Sequence, residues 1–230
     1  MHRARDTVIR PDDNPYLVEA AAIGFGEPDP VVIQSLAAAG DRAGLGRYIE
    51  QLQRARDTLA VRYAHAIPGE AALDTLADLA PLVELGAGTG YWAWLLRRRG
   101  VDILAFDACP PIDTGHANPY HRNADAVGVC WTTVQPGGPE QAAAFPERAL
   151  FLCWPPDTDM AEQALQHYAG PRLALIGTSG SSMETATPAF YAALRETFAL
   201  QAIVPIPQWY GLDDRLTIWV RWETPIRRRA

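Results

Sequence analysis

Three glycines at alternate positions, Gly86, Gly88 and Gly90, follow the apolar run Leu82–Leu85, in which Glu84 is the single charged residue. Glycines at that spacing let a chain turn sharply at positive φ and let a ligand lie against bare backbone. Glu84 stands where a buried strand calls for an aliphatic residue, so its carboxylate needs an amino group or a peptide N–H to meet it. Asp107 closes a second apolar run about twenty residues further on, the interval at which α/β nucleotide folds hold ribose hydroxyls with an acid. An Asp at a strand end is also a common turn former; its pairing with Glu84 and the glycines favours binding. The dinucleotide fingerprint G-x-G-x-x-G does not fit, because Tyr91 stands where the third glycine belongs.

A second set of residues could face an acceptor or move a proton. The apolar run from Ala149 ends in Cys153-Trp154-Pro155-Pro156. Paired prolines fix the backbone and present either strand-end carbonyls or the Trp154 ring to a ligand; a rigid strand-to-helix connection is the alternative. Of Asp157 and Asp159, one is expected to cap the next helix, and Asp157 is the candidate general base. His116 and His121 lie in the proline-broken stretch 108–125, where an imidazole could take a proton near neutral pH or simply be a solvated loop residue. Trp131, Trp154 and Trp209, with Tyr210, supply flat walls for an acceptor, although Trp209 and Tyr210 suit edge packing equally well. Cys109, Cys130 and Cys153 are odd in number and widely spaced, which supports neither a disulfide framework nor a metal knuckle.

Positioning these residues takes alternating helices and strands. Tyr48, Leu52, Ala55, Leu59 and Tyr63 step by three and four, which predicts an amphipathic helix from about Arg47 that Pro68 ends; Glu70–Ala80 gives a shorter one. Tyr63 is then either the last core residue of that stripe or a cover for the ligand. Tyr91–Arg99 is expected to be helical, with Arg97, Arg98 and Arg99 at the negative end of its dipole. Val127–Val134 reads as the third strand, closed by a turn at Gln135–Pro139, and Leu173–Ile176 as the fifth. Thr187-Pro188 starts a helix to about Phe198, and the strands near Leu200–Pro205 and Leu216–Trp222 follow with no helix between them. Pro11, Pro15, Pro28 and Pro30 make residues 1–46 an expected irregular leader. The domain is expected to span 47–230, with 47–80 as its helical cover.

The segment Val83-Glu84-Leu85-Gly86-Ala87-Gly88-Thr89-Gly90 resembles the first motif of class I S-adenosylmethionine-dependent methyltransferases, and the resemblance covers about residues 47–222. The stretches Glu-Leu-Gly-Ala-Gly-Thr-Gly-Tyr-Trp and Cys-Trp-Pro-Pro also resemble a group of bacterial and fungal methyltransferase-like proteins. This implies an α/β, Rossmann-like fold: a doubly wound, mostly parallel seven-stranded sheet with an antiparallel last strand, plus N-terminal helices. It implies S-adenosylmethionine as cofactor, held by Glu84, Gly86, Ala87, Gly88, Gly90 and Asp107. Gly138 falls in the turn placed beside adenine, Cys153 and Trp154 at the fourth motif, and Tyr63 on the covering helix. Trp131, Pro155, Trp209 and Tyr210 then fall to the acceptor. Amino-methylating relatives carry Asn/Asp-Pro-Pro-Tyr at the fourth motif; Trp154 lacks that side-chain acceptor, which weakens a nucleobase N-methylation reading.

With 230 residues, 48% of them hydrophobic, the chain can bury the core of a single domain. Its net charge of −7, from 27 acidic and 20 basic residues, argues against a broad nucleic-acid-binding surface. No apolar run approaches a membrane span and the N-terminus lacks a signal-peptide core, so a cytoplasmic, non-membrane protein is expected. The expected function is methyl transfer to an O or N acceptor on a small molecule, aromatic secondary metabolites among the candidates. A non-catalytic S-adenosylmethionine sensor or scaffold and an RNA or protein methyltransferase are the alternatives. The sequence leaves acceptor and oligomeric state open.

Overall fold

In the computed structural model, which describes residues 14–111, 130–178 and 185–222, helices and strands alternate through most of the chain. The strands are β1 (Leu82–Leu85), β2 (Ile103–Asp107), β3 (Gln135–Pro136), β4 (Ala149–Cys153), β5 (Arg172–Thr178), β6 (Phe198–Pro205) and β7 (Asp214–Arg221). They form one seven-stranded sheet in the order β3-β2-β1-β4-β5-β7-β6. Strands β1 to β5 pair in parallel, and β7 is antiparallel to both β5 and β6. This is the doubly wound sheet with an antiparallel last strand expected from the sequence. Strand order reverses at β1, which lies between β2 and β4, so a ligand crevice opens above the C-terminal ends of these strands.

The helices are α1 (Pro15–Ala22), α2 (Pro30–Ala38), α3 (Arg42–Arg62), α4 (Glu70–Asp78), α5 (Tyr91–Arg98), α6 (Met160–His167) and α7 (Pro188–Thr197). Side chains alternate across a strand, and both faces of this sheet are covered. Leu82, Phe151, Ala174 and Ile176 face the layer that contains Leu73 and Leu76 of α4 and Trp92, Leu95 and Leu96 of α5. Val83, Leu85, Leu150, Leu152, Leu173 and Leu175 face Ala161, Ala164 and Leu165 of α6 and Phe190 and Leu194 of α7. Each leucine or isoleucine among them contributes about 2 kcal/mol when fully buried. By the same alternation Glu84 shares the α5 side with Leu82, and its sheet partners are Ala105 and Phe151. Among the described residues no helix is long and apolar enough to cross a membrane.

Two expectations are corrected. Residues 15–38 are largely helical rather than irregular, and α3 begins at Arg42. Pro15 and Pro30 each occupy the first turn of a helix, where proline's missing N–H removes no helical bond, and Asn14 and Asp29 cap them through bonds from Leu17 N and Val31 N. Tyr16 and Ala20 of α1 are fully buried in the α5-side core. Among the described residues the third strand is Gln135–Pro136, at the sheet edge where proline is tolerated, and residues 130–134 are not strand. Residues 131–133 instead lie over the α5 layer: Trp131 N donates to Thr89 O, and Arg97 donates to Thr132 Oγ1 and Thr133 O.

Candidate functional site

The turn from β1 into α5 takes positive φ at Gly86 (73°), Gly88 (54°) and Gly90 (73°). Its register against β2 is set by Ala87 N donating to Phe106 O at 2.9 Å. A Cβ at Gly86 would stand 2.9 Å from Met160 Cε, the mobile end of a flexible side chain, so it is the positive φ that requires glycine here. Thr89 Oγ1 donates to Tyr63 O and ties the turn to the end of α3.

Above these strand ends lies a cavity of about 510 Å³, lined by the glycine turn, Asp107 and the segments after β2, β3 and β4. It gathers Tyr63, Glu84, Gly86, Ala87, Gly88, Asp107, Gly138, Cys153, Trp154, Pro155 and Asp157. Asp107 uses one oxygen to accept from Gly88 N and the other to accept from Cys109 N, each at 2.8 Å, and so clamps the turn while facing the cavity. Glu84 is 1% exposed, and its Oε2 has no hydrogen-bond partner among the described residues. Burial pushes its carboxyl up to about 8; Arg97 opposes this and Asp107 adds to it. A buried acid without a donor calls for a cationic or N–H-bearing group in the cavity.

At the β4 end, Trp154 has φ 52°, a left-handed conformation that is unusual for a bulky side chain. Three bonds hold this segment: Trp154 N to Ile176 O at 2.8 Å, Trp154 Nε1 to Asp214 Oδ1 at 2.8 Å, and Ala186 N to Pro155 O at 2.9 Å. The Pro155 carbonyl is thus engaged, and the paired prolines serve to orient the indole. Asp214 is 1% exposed, and burial raises its carboxyl to about 6 against the lowering effect of the Trp154 bond. Burial also pushes the Cys153 thiol well up.

The remaining expected site residues lie elsewhere or act differently. Gly90 caps α5 and is absent from the cavity lining; a Cβ there would meet Val134 Cγ2 at 2.7 Å, so its role is packing. Tyr63 lines the cavity, but its ring is stacked with Tyr16 at 4.9 Å and with Trp131 at 5.2 Å, and its hydroxyl donates to Glu19 Oε1 at 2.7 Å. These contacts hold its ring in place at the cavity wall. Trp131 lies behind it, with Nε1 donating to Arg62 O. Trp209 is 1% exposed and donates from Nε1 to the Tyr16 hydroxyl, which makes it core; Tyr210 is 63% exposed beside Pro28, Pro30 and Ile33. Asp157 is exposed at the cavity edge, and Asp159 holds the N-cap position of α6 without a side-chain capping bond. His116 and His121 lie outside the described residues.

Sequence reasoning missed His65, Thr89, Trp92 and Thr185 in the lining, and Asp214 behind it. His65 follows the helical stripe and belongs to no spaced motif. Asp214 is 60 residues from Trp154 and carries no local sign of that contact.

No protein-family model and no curated protein matches the chain. Some solved structures are similar in outline. A rRNA methylase from Streptococcus thermophilus is 19% identical, over 69% of this chain and 100% of its own, with a TM-score of 0.38. A SAM-dependent O-methyltransferase from Thermotoga maritima is 14% identical over 71% and 68%, with a TM-score of 0.41. A variant of MtNAS in complex with S-adenosylmethionine is 12% identical over 95% and 86%, with a TM-score of 0.45. At such identities and scores, none of them bears on what this chain binds or does.

Proposed function

We propose that the chain is an S-adenosylmethionine-dependent methyltransferase acting on an O or N acceptor of a small molecule, with its catalytic domain in residues 47–230. The observation that carries this reading is the unpartnered, buried Glu84 carboxylate in the same cavity as Asp107 and the bare glycine turn. The donor set fits the cofactor's two polar ends. Glu84 suits an ammonium group, and Asp107 suits ribose hydroxyls, since its carboxylate is an acceptor in the cavity lining at the end of β2. Gly137 and Gly138 border the space beyond Asp107, where a flat base can lie against backbone. When bound, the cofactor supplies a methyl group already activated for transfer. The chain's own part is to align the acceptor at the β4 end and keep water out, between Trp154, Pro155 and Pro156. Asp157 at the edge is within the same lining and is a candidate base.

Methyl-labelled S-adenosylmethionine, incubated with the protein and separate small-molecule, RNA and protein fractions, tests the reading. Label in the small-molecule fraction supports it. Nuclease-sensitive or protease-sensitive label moves the acceptor to RNA or protein. Tight binding with no transfer to any fraction supports a sensor or scaffold. Unchanged cofactor affinity in both Gly88→Arg and Asp107→Ala removes the cofactor assignment itself.

A further inference from the structure

The β4 end of the cavity holds an arrangement that cofactor binding leaves unused. His65 lines the cavity, and its ring lies parallel to Trp154, with centroids 5.4 Å apart and planes 15° from each other. The indole beneath it is fixed by its bond to Asp214, and Asp214 N in turn donates to Gln208 Oε1 at 2.8 Å. The Arg56 guanidinium stands 5.8 Å from the centre of the same indole. Stacking covers a face of the imidazole, so its hydrogen bonds are made in the ring plane, through the edge that carries both nitrogens.

The other titratable groups here are less suited to accept a proton from a bound molecule. Cys153 is kept protonated by burial, Asp214 is engaged with Trp154, Arg56 is a cation, and Glu84 is the group assigned to the cofactor's ammonium end. Asp157 is exposed at the cavity edge rather than beside the Trp154 ring. The Trp154 side chain offers no acceptor to orient an amine, because its one polar atom is a donor already given to Asp214. An imidazole beside a rigid apolar wall instead suits an acceptor that gains nucleophilicity by losing a proton.

Resting on the methyltransferase reading above, we propose that His65 is the catalytic residue that takes the acceptor's proton, and that the acceptor is an acidic hydroxyl, phenolic or enolic, on a flat and mostly apolar molecule. The O–H proton goes to the imidazole, the oxygen lone pair forms the bond to the methyl carbon, and the electrons of the broken carbon–sulfur bond stay on sulfur.

The probe is 4-nitrophenol, whose phenolate is coloured and whose neutral form is not, titrated into the protein loaded with S-adenosylhomocysteine. The wild type should bind it as phenolate at a pH where the free phenol is neutral. His65→Gln should lose about tenfold or more of the bound phenolate signal, with S-adenosylhomocysteine affinity by calorimetry unchanged. His65→Asn repeats the test should the first variant fold poorly. In the wild type, the histidine ring NMR signal should move toward imidazolium when the phenol binds. The same colour in both His65 variants, or its loss in Asp157→Asn alone, overturns the proposal, as does a wild type that binds S-adenosylhomocysteine and leaves the phenol neutral. Absence of S-adenosylhomocysteine binding, read separately by calorimetry, would instead remove the methyltransferase reading and the proposal with it.

Discussion

Replacing Glu84 by Gln should make the ligand-free protein more stable and its cofactor site weaker, with a shared pH signature. In the folded protein burial holds this carboxyl up to about 8, whereas its ordinary value is 4.5. A raised value favours folding in full only below the unfolded value, and that contribution is lost as pH rises through the window that ends at about 8. At about pH 6.5, two units above the unfolded value and still below the folded one, the loss is about 3 kcal/mol. Gln has the same shape and no ionisation, so the stability difference between variant and wild type should grow with pH across this window. For a chain of this length, about 3 kcal/mol corresponds to a midpoint difference of roughly 6–12 °C. Taking the difference between the two proteins cancels every other titrating group. Cofactor binding should respond in the opposite sense. An ammonium group pairs with the ionised carboxylate, which is only about 3% populated at about pH 6.5, so binding should expel close to one proton. Calorimetry of S-adenosylhomocysteine binding, in buffers of different ionisation heat, counts that proton. The wild type should release about one and Glu84→Gln about none, with wild-type affinity rising about tenfold per pH unit until about pH 8. A pH-independent stability difference, or equal proton release by both proteins, would refute the reasoning.

Other variants probe the frame around the site. Gly86→Ala places a side chain at φ 73° and 2.9 Å from Met160 Cε, so denaturant titration should register a loss of about 1–2 kcal/mol, only part of it recovered by also changing Met160→Ala. Asp107→Ala leaves the N–H groups of Gly88 and Cys109 without their acceptor; stability should fall by about 1–3 kcal/mol and S-adenosylhomocysteine affinity by about tenfold or more, and intact affinity would contradict the ribose assignment. Tyr16→Phe removes the hydroxyl that accepts from Trp209 Nε1 at 3.0 Å, with an expected thermal cost of about 1–3 kcal/mol and unchanged S-adenosylhomocysteine affinity. Asp214→Asn keeps an oxygen for Trp154 and removes a carboxyl raised to about 6, so its stability gain over the wild type should develop between about pH 4 and 6 and then level off.

The glycine-turn end of the cavity was legible because its chemistry is local. Glycine spacing, an acid inside a strand and an acid at the next strand end each have a physical meaning within a few residues. The alternating elements were legible for the same reason, since strand and helix periods are short. The β4 end was not, because its geometry comes from distant pairings. Trp154 is set by Asp214, His65 by Trp154, and Trp209 is drawn inward by Tyr16. Aromatic residues read as substrate walls divide accordingly: Trp154 lines the cavity, Trp131 and Trp209 pack behind it, and Tyr210 faces outward. The leader was misread because proline was taken as a breaker, whereas Pro15 and Pro30 follow side-chain caps and open helices.

The bond between Tyr16 and Trp209 bears on how the protein is made. The two residues are 193 positions apart, and both are buried in one aromatic cluster with Tyr63 and Tyr91. During synthesis the first helix therefore emerges long before its slot is complete. Its apolar side chains must wait, exposed or covered by a chaperone, until the segment around Trp209 leaves the ribosome. Closure of such a distant contact is slow compared with forming the local helices. A growing chain halted before Trp209 should accordingly leave α1 open to protease, and one released after β7 should protect it.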